Sequence, residues 1–257
     1  MGFSPSTASA ATFVALSLGL GSCASVVSDQ IHTSNLSSRG HQLASLFDTS
    51  ASGCAVSTAI VPHQGGQLAQ PTYQVTQIGL GIGTQNYSCS SAGNYTSIGA
   101  VAELYDVSCE YLTAGFTDIS AEAYRVWNAA PTYYTESTLI DVLYASGGMT
   151  TIPAILGEHY FVPSLTGSGV SPKWDFTSKA FVGNSAAYVI GKVVDDIPSP
   201  SGSSNIDWLY LTNVQGGLAQ EIYRTNTMGG QPPHSCAPGS AVVVKYTSIY
   251  YFTGGLE

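Results

Sequence analysis

The stretch QIGLGIGTQNYSC, residues 77–89, constrains the fold more than any other part of this sequence. Glycine alternates with aliphatic residues in it, so Gly79, Gly81 and Gly83 would share one face of a β-strand and three aliphatic side chains the other. A strand face without side chains lets a second layer approach closely. The chain has 16 tyrosines, and we predict that aromatic rings of neighbouring strands pack on the glycine face.

These glycines do not match a dinucleotide-binding loop, which has the spacing G-x-G-x-x-G and connects a strand to a helix. Thr84 stands where the third glycine would be, and residues 85–89 show no helical period. The sequence therefore indicates no nicotinamide cofactor, and it points to no other cofactor.

Short runs rich in Val, Ile, Tyr, Phe and Thr continue from Thr72 onwards, bounded by Gly, Pro, Asn or Ser. Only residues 120–131 and 137–146 have the spacing of helices. This order predicts an all-β fold with minor α content: an antiparallel β-sandwich or flattened barrel, with one or two short helices in an insertion. We divide the chain into a signal peptide (1–24), a loosely structured lead-in (25–70) and a single β-rich domain (71–257).

The N-terminus indicates secretion. Residues 10–20 form an apolar run too short for a membrane-spanning helix, which needs about 20 residues, and Ser22, Cys23 and Ala24 suit a signal peptidase. No Lys or Arg precedes the run, so a buried N-terminal helix is the alternative, and residues 20–23 also resemble a lipoprotein signal. We expect an extracellular or cell-wall location and no transmembrane segment.

Four cysteines remain after removal of the signal: Cys54, Cys89, Cys109 and Cys236. An even set in a secreted chain predicts two disulfides, with three possible connectivities. The cysteines show no C-x-x-C or His/Cys spacing, so we expect no metal site.

Three sequons, at Asn35, Asn86 and Asn94, predict N-glycosylation in a secreted chain. Asn86 poses a conflict, because strict alternation places it on the same face as Ile78 and Ile82. Either a bulge intervenes, the strand extends beyond the core, or Asn86 carries no glycan.

The charge balance excludes two classes of partner. Seven Lys and Arg stand against 16 Asp and Glu, for a net charge of -9, so nucleic acid and anionic membrane surfaces are not expected partners. We expect an extracellular ligand, either a glycan or a protein.

Glu158 and His159 form the most suggestive polar pair. With His234, and with Asp195 or Asp196, they would supply acid–base groups or metal ligands. The alternative is a strand with one polar face and a hydrogen-bonded histidine.

Two further residues are candidates for ligand binding. Trp174 stands between Lys173 and Asp175, which favours partial exposure. Arg224 is notable because basic residues are scarce, and we consider an ion pair with a strand carboxylate as well as an anion-binding role.

Several segments together resemble a secreted family of unknown function found in fungi and bacteria: LGIGTQNYSC, AVAELYDVSC, GEHY, PKWDF, IYRTNTMGGQPPHSC and VKYTSIYYF. Members are often labelled malate dehydrogenase, but this chain lacks the βαβ unit that a nicotinamide enzyme needs, so that activity is not supported. The resemblance implies the pairs Cys89–Cys236 and Cys54–Cys109. It supplies no catalytic residues.

These observations favour a secreted, non-enzymatic extracellular or cell-wall-associated protein that acts at a host or environmental interface. One alternative is a secreted hydrolase or metal-assisted enzyme that uses Glu158, His159 and His234. Another is a carbohydrate-binding module, which requires coplanar exposed aromatic side chains.

Overall fold

A computed structural model describes residues 53–165 and 167–256. The predicted signal peptide, the lead-in up to residue 52 and Asn35 lie outside these residues. The described strands and α-helices, in chain order, are β1 (Val75–Cys89), β2 (Tyr95–Asp106), α1 (Ile119–Ala129), α2 (Glu136–Ala145), β3 (Ile155–Pro163), β4 (Val170–Asp175), β5 (Tyr188–Ile197), β6 (Trp208–Gln215), β7 (Glu221–Gly229) and β8 (Ala241–Thr253).

The strands form one closed antiparallel barrel in the order β1 to β8. The predicted all-β class is confirmed, and of the two predicted architectures the barrel is correct and the sandwich is wrong. The long strand β1 pairs with β2 over Gly79–Asp106 to Cys89–Tyr95 and with β8 over almost its whole length, which closes the sheet. Closure leaves β1 without a free edge.

Both helices lie between β2 and β3, as the predicted insertion requires. Helix α1 buries Ile119, Ala123 and Trp127, spaced at about one turn, in the cluster that covers the outer face of β1. The indole Nε1 of Trp127 donates a hydrogen bond to the main-chain oxygen of Gly83 at 2.8 Å. Helix α2 adds Leu139 and other apolar residues to the same cluster.

The two faces of β1 confirm the predicted alternation of aliphatic residues and glycines, and the predicted close contact with an aromatic ring is found at Gly81. Ile78, Leu80 and Ile82 point outward into the helix-covered cluster. On the inward face, a Cβ placed on Gly81 would lie only 2.6 Å from Cε2 of Tyr250, which belongs to the adjacent strand β8. The absent side chain is therefore what allows the tyrosine ring to lie against β1.

Aromatic side chains fill the inside of the barrel. Trp174, Phe176, Tyr250 and Phe252 are all buried in one cluster with aliphatic residues of β2, β3, β5, β6 and β7. Their rings meet edge to face, with centroids 5.2 Å apart for Phe176 and Phe252 and 5.5 Å for Trp174 and Tyr250. The interior is therefore a packed core.

Two disulfides hold segments against opposite ends of the β1–β2 hairpin. Cys54 is bonded to Cys109, which follows β2, and Cys89 at the end of β1 is bonded to Cys236, which follows β7. This is the pairing that the family resemblance implied. The described part of the lead-in contains one short 3-10 turn, Gln64–Gly66, and buries three apolar residues on the domain: Val56, Val61 and Leu68.

Candidate binding site

His159 and Trp174 meet inside the barrel, where they form the inner aromatic cluster with Tyr246 and Tyr250. The imidazole stacks on the indole with centroids 4.5 Å apart and planes 14° apart. The hydroxyls of Tyr246 and Tyr250 lie 3.1 Å apart. His159 Nδ1 is 2.9 Å from the Lys173 carbonyl oxygen, and a carbonyl only accepts, so Nδ1 carries the proton and donates.

Burial determines the ionisation of His159, which is 2% exposed. Removal from water lowers its pKa to about 4, and the charge of Arg224 acts in the same direction, against the hydrogen bond to Lys173. The imidazole is therefore neutral at pH 7. Within the described residues it is a packed core side chain.

Glu158 points away from His159, because successive strand residues face opposite sides of the sheet. It is exposed on the outside of the barrel, where its cross-strand partners are Glu103 and Asp175. His234 is exposed in the segment after β7. The structure thus does not bring Glu158 and His159 together on one face.

Asp195 and Asp196 lie within β5, on either side of its sheet. Among residues 53–165 and 167–256, no group of three or more His, Cys, Asp or Glu side chains is placed to hold a metal ion.

The expected partial exposure of Trp174 is wrong, since the side chain is 2% exposed. Lys173 and Asp175 both point outward, and alternation along β4 therefore turns Trp174 inward. Gly191 on β5 makes room for it, because a Cβ there would lie 3.1 Å from the indole. Trp127 and Trp208 are also buried, so none of the three tryptophans forms an exposed platform.

Arg224 donates hydrogen bonds from Nε and Nη2 to the main-chain oxygen of Asp207, at 3.2 and 2.8 Å. It therefore fixes the start of β6 through a carbonyl group. Burial and the charge of Asp196 raise the pKa of the Asp207 carboxyl, against the effect of Arg224. Arg224 is half-buried and faces the same side of the sheet as Tyr250, its cross-strand partner.

On the outside of β3, β4 and β5, four side chains form what we call the outer tyrosine cluster: Tyr160, Lys173, Asp175 and Tyr188. Lys173 Nζ lies 2.8 Å from Asp175 Oδ2, 4.6 Å from the ring centroid of Tyr188 and 5.3 Å from that of Tyr160. The Tyr160 hydroxyl donates to Asp175 Oδ2 at 2.9 Å. The cluster combines two half-buried rings with a fixed ion pair.

Hydrogen bonds hold Asp175 in its charged form. Burial opposes ionisation, but hydrogen bonds from Lys173, Thr177 and Tyr160 outweigh it and lower the pKa of Asp175 to about 2. The outer tyrosine cluster therefore presents a carboxylate and an ammonium group over the whole physiological pH range. Both groups can exchange hydrogen bonds with hydroxyls.

Asn86 and Asn94 lie at the end of the barrel that carries the Cys89–Cys236 bond. Lys245 donates to the carbonyl oxygens of Trp127 and Ala130, so α1 ends beside it, and Asn86 lies beyond this point on the same outer face. The strand extends past the helix-covered core, which is the second of the three explanations for Asn86. A bulge in the β1–β2 ladder is also present, but it lies between Asn86 and Tyr87 and so follows Asn86. Asn94 is exposed in the turn between β1 and β2. Glycosylation at both stays a prediction.

Comparison with known proteins identifies the family. A family model described as "Protein of unknown function (DUF3455)" matches residues 70–254. The chain belongs to the DUF3455 family. This confirms the resemblance found in the sequence and shows that the match covers the whole of the barrel. No curated protein and no solved structure matches this DUF3455 chain.

The disulfide-bonded barrel of this DUF3455 chain is consistent with an extracellular protein, because disulfides form and persist in oxidising compartments. In residues 53–165 and 167–256, neither helix has the length and apolarity to cross a membrane.

The sequence reasoning did not find the outer tyrosine cluster in this DUF3455 chain. Its members come from three strands, and they meet because Tyr160 pairs with Lys173 and Asp175 with Tyr188 across the sheet. Alternation in PKWD would have placed Lys173 and Asp175 on one face. The strand pairing that brings Tyr160 and Tyr188 next to these two residues cannot be predicted from a single sequence.

Proposed function

We propose that this chain is a secreted protein that acts outside the cell, in the medium or on the cell wall, by binding a macromolecule and not by catalysis. The observation that carries this proposal is the packed interior of the barrel, in which His159 and Trp174 are buried core residues. Chemistry that is accessible to a partner then lies on the outer surface, which two disulfides help to hold rigid.

The spatial separation of the polar candidates also supports binding over catalysis. A general acid–base or metal-assisted mechanism needs its side chains within hydrogen-bond reach of one reacting group. Glu158 faces out, His159 faces in, and His234 lies in a segment after β7. The alternative of an enzyme built on these three residues therefore has no shared reaction centre on the described surface.

The test uses mature protein expressed through a secretory pathway. We expect it in the medium with both disulfides formed, depleted from solution by isolated cell walls, and free of stoichiometric metal. A panel of fluorogenic ester, glycoside and peptide substrates should show no turnover above a Glu158→Gln control. Stoichiometric metal, or turnover that Glu158→Gln removes, would contradict the proposal.

A second candidate function, carbohydrate binding, is favoured by the outer tyrosine cluster. Sugars are recognised by aromatic rings together with charged groups that exchange hydrogen bonds with hydroxyls. Tyr160 and Tyr188 flank the Lys173–Asp175 pair in this way. The accessible aromatic side chains of such a site would be these two tyrosines, since Trp174 is buried.

A glycan array tests this candidate. We expect binding that Tyr188→Ala and Tyr160→Ala each weaken, whereas Tyr133→Ala leaves it unchanged, because Tyr133 is a strongly exposed tyrosine outside the cluster. Equal losses in all three variants, or no bound glycan, would exclude the outer tyrosine cluster as a sugar site.

A further inference from the structure

One stretch of β8 has a neighbouring strand on only one side. The β1–β8 ladder continues to the pair Ser88–Ala241, whereas the β7–β8 ladder ends at Gly229–Tyr246. The last backbone hydrogen bond on that side runs from Gly230 N to Lys245 O at 3.0 Å. We call residues 241–244 the open edge.

The sequence after β7 explains why the ladder stops. Gly229 and Gly230 both have positive φ and turn the chain away from β8. Pro232 and Pro233 follow, and neither has an N–H group to donate to a ladder. The barrel is therefore closed over most of its height but opens between β7 and β8 at this end.

The backbone N–H and C=O groups of successive residues in a strand point to alternate sides, and this alternation identifies the free groups of the open edge. Cys89 N donates to Ser240 O at 2.8 Å, so Val242 and Val244, at alternate positions, face β1 in the same way. The N–H and C=O groups of Ala241 and Val243 then point to the open side. Within the described ranges, no loop backbone hydrogen bond reaches them. Val243 is 64% exposed.

A groove of ≈ 540 Å³ runs along the open edge. Residues 242–244 line one side of it, and residues 231–234 with Ser203 and Ser204 line the rest. None of these lining residues is acidic, in a chain whose net charge is -9. The groove thus combines unpaired strand backbone, β-branched side chains and a lining without acidic residues, in a chain that is acidic as a whole.

We propose that the open edge binds an extended peptide segment of another extracellular protein, which adds to the barrel as a strand beside β8. Free N–H and C=O groups at alternate residues are what an added β-strand recognises. The occupant has about four residues in contact, since 241–244 span about 13 Å at about 3.3 Å per residue. The acidic body favours Lys or Arg beside an uncharged, β-branched centre.

A second copy of the chain is the less suitable occupant. It would bring a further net charge of -9 against this one. A single extended segment that carries Lys or Arg meets no such repulsion. The proposal rests on the proposed function in one respect, that the partner is met outside the cell.

The probe is the fluorescein-labelled peptide Lys-Val-Thr-Val-Thr-Lys, titrated with the full mature protein and followed by fluorescence anisotropy. We expect saturable binding that N-methylation of alternate peptide residues weakens by at least about tenfold, because backbone hydrogen bonds are lost. This comparison uses the wild-type protein, so it does not depend on the folding of a variant. Equal affinity of the methylated peptide would overturn the proposal.

Two variants of one residue separate backbone from side-chain recognition. Val243→Pro removes the free N–H without touching a β1 hydrogen bond, and we expect it to weaken peptide binding by at least about tenfold. Val243→Thr keeps the backbone and the β-branched shape, and we expect a change of less than about threefold. Binding to Val243→Pro at wild-type affinity would contradict the proposal.

Hydrogen exchange and sedimentation test the other occupants. In the free monomer, the Val243 amide should exchange rapidly and should slow when the peptide is added. Protection of this amide in the free monomer would mean that the chain covers its own edge, and a dimer abolished by Val243→Pro would assign the edge to a second copy. Either result overturns the proposal. A secreted, wall-binding protein that ignores the peptide would contradict only this inference and leave the proposed function standing.

Discussion

The two faces of β1 are both buried, but by opposite means. The outward face presents Ile78, Leu80 and Ile82 to the helices, so it is filled by the strand's own side chains. The inward face presents glycines, and it is filled by rings and backbone that approach from other strands. The outer contact therefore depends on the aliphatic side chains of β1, whereas the inner contact depends on glycines that have no side chain to block the neighbouring strands.

The largest expected effect comes from adding a single methyl group to the inner face. A Cβ on Gly83 would lie 2.0 Å from the Val101 carbonyl oxygen, and backbone cannot move aside as a side chain can. We expect Gly83→Ala to cost more than about 4 kcal/mol of unfolding free energy, measured by urea denaturation.

Gly79→Ala is the matched control for this change. Its Cβ would meet side-chain atoms only. These are the ends of Leu104 and Leu156, at 3.2 and 3.3 Å, which can adjust, and the Phe252 ring at 3.6 Å, an ordinary van der Waals contact. We expect a cost of about 1–2 kcal/mol. Equal losses in the two variants would contradict the distinction between contacts with backbone and with side chains.

On the outer face of β1, shortening a buried side chain should lower the unfolding free energy. Leu80 is fully buried beneath the helices, and we expect Leu80→Ala to lower the unfolding free energy by about 2–5 kcal/mol, as for other core leucines. Val101→Ala, an exposed residue on the outer side of β2, should change it by less than about 0.5 kcal/mol. A small effect at Leu80 would mean that the helices do not seal this face.

As the pH falls, protonation of His159 inside the barrel should lower the unfolding free energy before protonation of Asp175 on the outside does. The pKa of His159 is lowered to about 4 in the folded chain from about 6.5 in the unfolded chain. The unfolded state therefore binds a proton first, and about 3 kcal/mol of stability, present above pH 6.5, is lost as the pH falls to about 4. Urea unfolding at a series of pH values checks this, and the slope in this window should disappear in His159→Gln.

Protonation of Asp175 in the outer tyrosine cluster should lower the unfolding free energy by a smaller amount, and at lower pH, than protonation of His159. The pKa of Asp175 is lowered to about 2 from an unfolded value near 3.9, so its contribution is present above about pH 4 and lost as the pH falls towards 2. Solvent screening of this partly exposed group reduces the contribution to about 1 kcal/mol. Asp175→Asn should flatten the stability profile between pH 4 and 2, and an unchanged profile would contradict the assignment.

The local pattern of residues 77–89 was enough to predict a strand there and its glycine face, and local spacing predicted the two helices of the insertion. The alternation of Gly79 to Gly83 with aliphatic residues has one physical interpretation, a strand buried on both faces. The choice between barrel and sandwich depended on β1 pairing with both β2 and β8, which are far apart in the chain. Pairing between strands that are far apart in the sequence cannot be predicted from the pattern of neighbouring residues.

Applying alternation more strictly would have corrected some errors about individual residues. The outward charges of Lys173 and Asp175 imply an inward Trp174, and Glu158 and His159, as neighbours in a strand, imply opposite faces. The open edge could be predicted only in part. Pro232 and Pro233 indicate where a ladder stops, but only the fold shows that β8 is the strand left unpaired.

The account depends on the Tyr250 ring lying against Gly81, and a double-mutant cycle measures this contact directly. Urea denaturation of the wild type, Gly81→Ala, Tyr250→Leu and the double variant gives the coupling free energy. We predict that Gly81→Ala costs at least about 3 kcal/mol alone but less than about 1 kcal/mol when the ring is absent, a coupling of at least about 2 kcal/mol. Additive losses, within about 0.5 kcal/mol, would show that the ring does not lie against the glycine face and would contradict the account.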